Sequence, residues 1–385
     1  MKRISVFAPL GALDHQTSLI NAIAAFDAAG FVVDVYAVRN RRFPAPTFPS
    51  SNVRVHFMPW AFDVEHEPRT LSTLLFTLWI LGAFWRSHRV IYAGGIRGLI
   101  AAYMYSLFRR TRYINYQMEL YVGEKLRSPF ARLFKWLERR AASRAQASIE
   151  HSEERAQVLS QDLGVSLRDI LIVPNAPTGR AMALRSRFLH RRLGLDESTH
   201  VLLSPGSINE NFLSSTVVRA ARKLPPGWNC VIHSSGGRDP DDPYIRQLRD
   251  LAQGSPVMFS LEPVPYSQIY EVLGSARIGI ALYTQDAGPN WATTGLSSGK
   301  LSHFLKVGVP VIVSPLPGLV EFISRHGVGE VLDNADELPG LIAKIESDWD
   351  AYHARALRCF DDHLSYDRNF QQVLDLADKL TTGRS

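Results

Sequence analysis

Apolar and polar positions along this chain alternate between two periods. Short apolar runs at residues 4–10, 31–39, 53–60, 90–93 and 113–118 predict strands, and residues 16–29 and 98–108 between them carry helical spacing. Gly30 stops the first of those helices, and a proline-rich loop fills residues 43–51. Residues 147–159 and 170–173 close the first half. The rhythm then restarts: a helix at 185–193, strands at 201–204, 229–233, 257–261 and 278–283, and helices at 207–224 and 266–273. Strand and helix alternate throughout, so the predicted class is α/β, with two doubly wound domains in succession.

One stretch ends this series, residues 287–321. It reads as a polar loop, Ser297, Ser298, Gly299 and Lys300, then a short amphipathic helix over 301–307, a stop at Gly308 and an apolar strand at 309–313. A helix that starts this way offers unpaired amides, the positive end of a dipole and one ammonium to a single point. Such an arrangement suits a phosphate or diphosphate. The same residues also suit an ordinary capped helix in a βαβ unit.

The pattern Lys300-Leu301, Phe304-Leu305, Gly308, Pro310-Val311 and Glu321 resembles the nucleotide-sugar signature of GT-B glycosyltransferases, family 4 in particular. The resemblance implies two Rossmann-like domains facing across a cleft: residues 1–180 binding the acceptor, 181–365 binding the donor, and 366–385 a last helix packing back on the first domain. It implies a nucleoside diphosphate sugar as donor, UDP-sugar favoured, a saccharide or lipid-linked saccharide as acceptor, and retention at the anomeric carbon. No metal and no cofactor are expected; Asp239, Asp241 and Asp242 read as a solvated turn, and no GxGxxG spacing points to a dinucleotide.

Ligands in open α/β sheets bind beyond the carboxyl ends of strands. On that rule and the resemblance, the donor-binding candidates are Gly206, Ser207, His233, Ser234, Gly236, Val264, Ser297, Ser298, Gly299, His303 and Glu321, with Lys300 stabilising the leaving diphosphate. Two departures stand out. Family members place an Arg and, five residues later, a Lys on the diphosphate; Ser207 and Phe212 stand there, which makes Lys300 the substitute. Members also carry two Glu with seven residues between them, where this chain has Gly295 and His303. In the first domain Glu119 and then His15 are the candidate catalytic residues, with Asp14, Gly95 and Arg97 on the acceptor. Each of these loop residues also fits a capping role.

At 385 residues with 46% hydrophobic and 21% charged side chains, the chain is globular and long enough for two cores. Cys230 and Cys359 are its only cysteines, which excludes a disulfide framework and fits a reducing, cytoplasmic setting. Charge divides it: the first 185 residues carry 24 Lys and Arg against 14 Asp and Glu, so the remaining 200 are mildly acidic. The excess concentrates in residues 109–112 and 125–144, where Phe130, Leu133, Phe134, Trp136 and Leu137 interleave with seven cations. Two readings follow. Either the helix lies on an anionic membrane at its inner face, or its aromatics face the core and its basic face is solvated. No nucleic-acid motif accompanies the charge. The apolar run at 71–85 is too short to span a bilayer. Two alternatives to a transferase remain, a sugar-nucleotide epimerase of the same fold and a non-catalytic nucleotide-sugar or polysaccharide binder.

Overall fold

The computed structural model describes residues 2–9, 13, 16–40, 48–62, 69–82, 88–122, 129–234 and 236–383. The chain divides into two compact units, Met1–Pro174 with Tyr366–Ser385, and Asn175–Ser365.

In the first unit the order is β1 (Arg3–Ala8), α1 (Thr17–Ala28), β2 (Val32–Asn40), β3 (Val53–Phe62), α2 (Arg69–Gly82), β4 (Val90–Gly94), α3 (Gly95–Phe108), β5 (Arg112–Tyr116), α4 (Pro129–Ala142), β6 (Ala147–Glu150), α5 (Glu153–Leu163) and β7 (Ile170–Ile172). All seven strands are parallel, arranged β3-β2-β1-β4-β5-β6-β7. Both sheet faces are covered, which is why β1, β4 and β5 read as continuous apolar runs rather than alternating ones. One face buries Ile4, Val6, Phe26, Tyr92 and Ile114, the other Phe7, Tyr36, Phe76, Ile91 and Tyr113.

The second unit runs α6 (Phe188–Leu193), β8 (His200–Pro205), α7 (Ser214–Ala221), β9 (Trp228–His233), α8 (Pro243–Ala252), β10 (Val257–Ser260), α9 (Ile269–Gly274), β11 (Ile278–Ala281), α10 (Pro289–Ala292), α11 (Gly299–Lys306), β12 (Val311–Val313), α12 (Pro317–His326), β13 (Gly329–Val331), α13 (Leu338–Ser347) and α14 (Trp349–Cys359). Its six strands are parallel too, ordered β10-β9-β8-β11-β12-β13. A π-helical turn, Phe360–Leu364, follows α14, and α15 (Tyr366–Thr382) returns to the first unit. There Phe370 packs edge-on against Phe26 at 5.4 Å, and Tyr366, Val373 and Ala377 join the same core.

The predicted elements recur with small shifts, and two shifts matter. Helix α11 begins at Gly299, two residues earlier than its apolar spacing predicts, so Lys300 stands in its first turn. Residues 207–224 form a turn of 3-10 helix, Glu210–Phe212, before α7, because Asn209 caps the short turn through the amides of Asn211 and Phe212.

Candidate functional site

The strand order of the second sheet reverses between β8 and β11, so its switch-point crevice lies between the loops that follow those two strands. Helix α11 is held there by its apolar stripe. Leu301, Phe304 and Leu305, at positions i, i+3 and i+4, are buried in the core of the second unit. Phe304 comes so close to β11 that a Cβ at Gly279 would lie 2.6 Å from its ring. Only glycine lets the helix sit this near the strand, and the position of Lys300 depends on it.

Lys300 and Gly206 meet in this crevice. The Lys300 Cε lies 3.0 Å from where a Gly206 Cβ would be, and Gly206 has φ +100°, a conformation that itself excludes most side chains. The Lys300 Nζ stands 4.0 Å from the centroid of Phe212 and 5.6 Å from that of Tyr283. Phe212, Tyr283 and Trp291 form one aromatic group, with ring centroids 5.2 and 5.7 Å from Phe212. Among the described residues no carboxylate pairs with Lys300, and burial pushes its pKa down to about 7. Lys300 is thus a partly buried amine set against aromatic faces with no carboxylate beside it among the described residues.

Ser298 caps α11 without a side-chain cap bond, because its hydroxyl is hydrogen-bonded to the Tyr283 hydroxyl. The Ser297 hydroxyl donates to Thr294 O at 2.6 Å. Both serines are therefore spent on positioning, and what α11 offers a ligand is its first amides and Lys300. Asn175 tightens the same turn: its Nδ2 donates to Ser297 O at 3.1 Å, its amide to Leu296 O, and its carbonyl accepts from Ser302 Oγ.

The neighbouring loops bring further candidates. The Gly206 amide donates to His233 O at 2.8 Å, so the ends of β8 and β9 are tied together. His233 is buried, its Nδ1 paired with Ser260 Oγ at 3.0 Å and its Nε2 left without a partner. Ser234 Oγ donates to Gly237 O, Val264 is buried in the core, and a Cβ on Gly236 would meet open space. His303 has a buried Nδ1 with no partner and a ring 5.7 Å from that of Tyr270. Burial holds both His233 and His303 near pKa 4, so both are neutral. Ser207 is exposed. Glu321 lies on the second turn of α12, exposed and paired with Arg325.

In the first unit the sheet reverses between β1 and β4. Gly95 and Arg97 open α3 there, and Arg97 Nη1 donates to Pro9 O at 3.3 Å. Asp14 and His15 lie outside the described residues. Glu119 follows β5, its carbonyl accepting from Gln117 Nε2, and partial burial raises its carboxyl above the usual range while Arg155 opposes the shift. Beyond it lies a buried group that periodicity does not reveal: Glu150 pairs with Arg155 at 2.9 Å, and His151 lies between Tyr116 and Val173 O. Sequence reading also passed over Phe212 as the seat of Lys300 and Asn175 as its brace; the clue to Phe212 was an aromatic standing where a cation was expected.

The acids of residues 238–242 are engaged locally. Asp242 caps α8 and pairs with Arg238 at 2.9 Å, and Asp239 accepts from the Asp241 amide. Among the described residues no group of three His, Cys, Asp or Glu is placed to hold a metal.

Solved structures match the whole chain. Sucrose-phosphate synthase from Thermosynechococcus elongatus superposes with a TM-score of 0.77 at 14% identity, covering 100% of both chains. The chain has the GT-B fold. Two further GT-B structures match at similar distance: Anabaena HepE in complex with UDP and glucose, TM-score 0.69 and 13% identity over 98% of this chain and 100% of that one; and WaaG, a glycosyltransferase involved in lipopolysaccharide biosynthesis, TM-score 0.67 and 14% identity over 97% and 99%. No protein-family model and no curated protein matches by sequence.

Proposed function

We propose that this chain is a glycosyltransferase moving a sugar from a nucleoside diphosphate sugar to an acceptor hydroxyl. The observation that carries the reading is Lys300, unpaired on Phe212 and Tyr283 at the start of α11 and touching Gly206 across the switch point. As the bond to the β-phosphate breaks, negative charge grows on the diphosphate and positive charge on the sugar ring. Protonated Lys300 and the first amides of α11 meet that negative charge without reorganising, which lowers the barrier to departure. Structures of the same fold are described with UDP and with UDP-glucose, which supports UDP as the base-bearing half. His233, Ser234 and Val264 border the place of the base, and His303, neutral, suits a ribose hydroxyl. Glu119 is assigned to the acceptor, its raised pKa suited to a proton-accepting or orienting role. Metal-free, retaining chemistry belongs to the same proposal.

A lipid-linked acceptor is supported by the outer face of the first unit. Phe130, Leu133 and Trp136 of α4 are 67%, 50% and 53% exposed, while Lys135 and Glu138 of the same helix are buried. The reading in which these aromatics face the core does not hold for Phe130 and Trp136. Helix α4 packs on α3 and α3 on α2, where Leu71, Leu74 and Leu78 are exposed as well, and Arg109, Arg110, Arg112, Arg139 and Arg140 are exposed among them. An apolar surface sown with arginines fits the boundary of an anionic bilayer, with the chain lying on it. No helix among the described residues is long and apolar enough to cross one.

The test is a thermal-shift panel of UDP, GDP, ADP and CMP on the parent chain and on Lys300→Ala. UDP near 100 times its dissociation constant should stabilise the parent by about 2.7 kcal/mol and the variant much less. No response to any nucleotide would remove the proposal's support. UDP binding with no turnover of any UDP-sugar would favour the non-catalytic binder, to which Gly295 and His303 also point.

A further inference from the structure

The second unit holds a cavity of about 310 Å³ that the donor site does not use. It opens at the amino ends of the two central strands of the six-stranded sheet, lined by the first residues of β8 and by those leading into β11, with Arg185, Arg187, Thr199, His200 and Arg277 in its wall. Strand β8 starts at His200 and ends at Pro205, so the cavity and Gly206 are separated by roughly 17–20 Å of extended chain.

Three guanidiniums face this space, and they are not equally provided for. Arg277 is clamped by both oxygens of Glu346, at 2.6 and 3.1 Å. Arg187 reaches Glu197 at 3.4 Å and His190 at 3.0 Å. Arg185 makes no hydrogen bond and no ion pair among the described residues; its only contact of note is with the ring of Trp349, 3.7 Å from the centroid. Arg277 shares that ring at 4.2 Å, so two like charges lie on one indole. Arg185 is exposed, and its partial desolvation together with the neighbouring Arg277 disfavours the charged form, with Asp350 opposing. The donors of Arg185 point to no protein acceptor, and the Thr199 hydroxyl likewise makes no hydrogen bond among the described residues. The Ser186 and Ser275 hydroxyls are already donated, to Glu271 Oε2 and Glu271 O.

We propose that this cavity binds the phosphoryl group of a small metabolite, with Arg185, oriented by Trp349, as its principal ligand and Arg187 and Thr199 beside it. A planar guanidinium stacked on an indole presents its N–H fork edgewise, which matches the oxygens of a phosphoryl group and loses little rotamer freedom on binding. The anion also relieves the repulsion between Arg185 and Arg277. The volume admits a phosphorylated molecule of monosaccharide size, and the pocket lies at the opposite end of β8 from the donor crevice.

Inorganic phosphate and glucose 6-phosphate, each titrated calorimetrically into the parent chain, Arg185→Gln and Lys300→Ala, test this. The expected result is saturable binding of at least one probe to the parent, weakened tenfold or more by Arg185→Gln and unchanged by Lys300→Ala. Arg187→Gln should weaken it in the same direction and keeps the test open if Arg185→Gln folds poorly. No saturable binding to the parent, affinity equal to the parent's in both arginine variants, or loss in Lys300→Ala alone would each overturn the proposal; the last would mean that the probe occupies the donor crevice.

Discussion

Helices α4 and α8 are both strongly two-sided, and they face opposite ways. In α8, Ile245, Leu248 and Ala252 are buried while Arg246, Arg249 and Asp250 face solvent, the ordinary arrangement for a helix on a sheet. In α4 the apolar residues Phe130, Leu133 and Trp136 face outward, and the buried positions are Lys135 and Glu138 together with Ala141 and Ala142. Those two charges are held by each other at 2.6 Å, by Asp162 of α5 at 2.6 Å from Lys135, and by Gln117 at 3.3 Å from Glu138. A helix with a paired charge inside and aromatics outside is the feature on which the proposed contact with an anionic bilayer rests. The contrast extends to the units: eleven of the twelve large exposed hydrophobic residues described belong to the first and only Met182 to the second. The exposed apolar surface among the described residues thus lies almost wholly on the first unit.

The comparison breaks most visibly under substitution. Lys135→Ala leaves Glu138 buried without its cation, while Asp162 keeps Arg139 at 3.3 Å, and should cost about 3–5 kcal/mol, read as a fall in the urea midpoint. Leu248→Ala in α8 should cost about 2–5 kcal/mol, whereas Leu133→Ala in α4, already half exposed, should change stability by less than about 0.5 kcal/mol. If Leu133→Ala and Leu248→Ala proved equally costly, the inside-out reading of α4 would be wrong. A smaller effect concerns the surface itself. Phe130→Ser with Trp136→Ser should leave melting unchanged yet lower partitioning onto vesicles containing phosphatidylserine, and removing Arg139 or Arg140 should cost about 1 kcal/mol of that binding each, an effect salt abolishes.

The sequence made most of the architecture legible, and the reason is burial. Strands such as β1 and β11 are covered on both faces and stand out as unbroken apolar runs, so their places could be read to within about two residues. The orientation of α4 could not be read, because periodicity defines an apolar stripe without saying which side of the helix meets the core; that is decided by Asp162, which comes from another helix. Lys300 was legible as a candidate from its place before an amphipathic run, but its seat was not. Phe212 lies in a loop whose course is set by the Asn209 cap and by the positive φ of Leu213, and neither leaves a periodic trace. The pocket around Arg185 was invisible for the same reason: its walls come from stretches separated by up to 92 positions in the chain, 185 to 277.

The donor crevice is where pH sharpens the account. Because burial places the Lys300 pKa in the folded chain at about 7, below its unfolded value, the penalty for its charge is absent at high pH and grows as pH falls towards 7. Lys300→Met should therefore be more stable than the parent below pH 7 in the absence of ligand, a difference that closes above it. A diphosphate reverses the balance by favouring the charged amine. UDP affinity, measured by calorimetry on the parent and on Lys300→Met from pH 6 to pH 9, is the direct test. The account predicts that the parent binds more tightly at pH 6 and loses affinity by up to about tenfold per unit above pH 7, while Lys300→Met binds weakly with no such decline. Parallel profiles with equal affinities would show that UDP, if bound, does not meet Lys300, and the proposed donor site would fall.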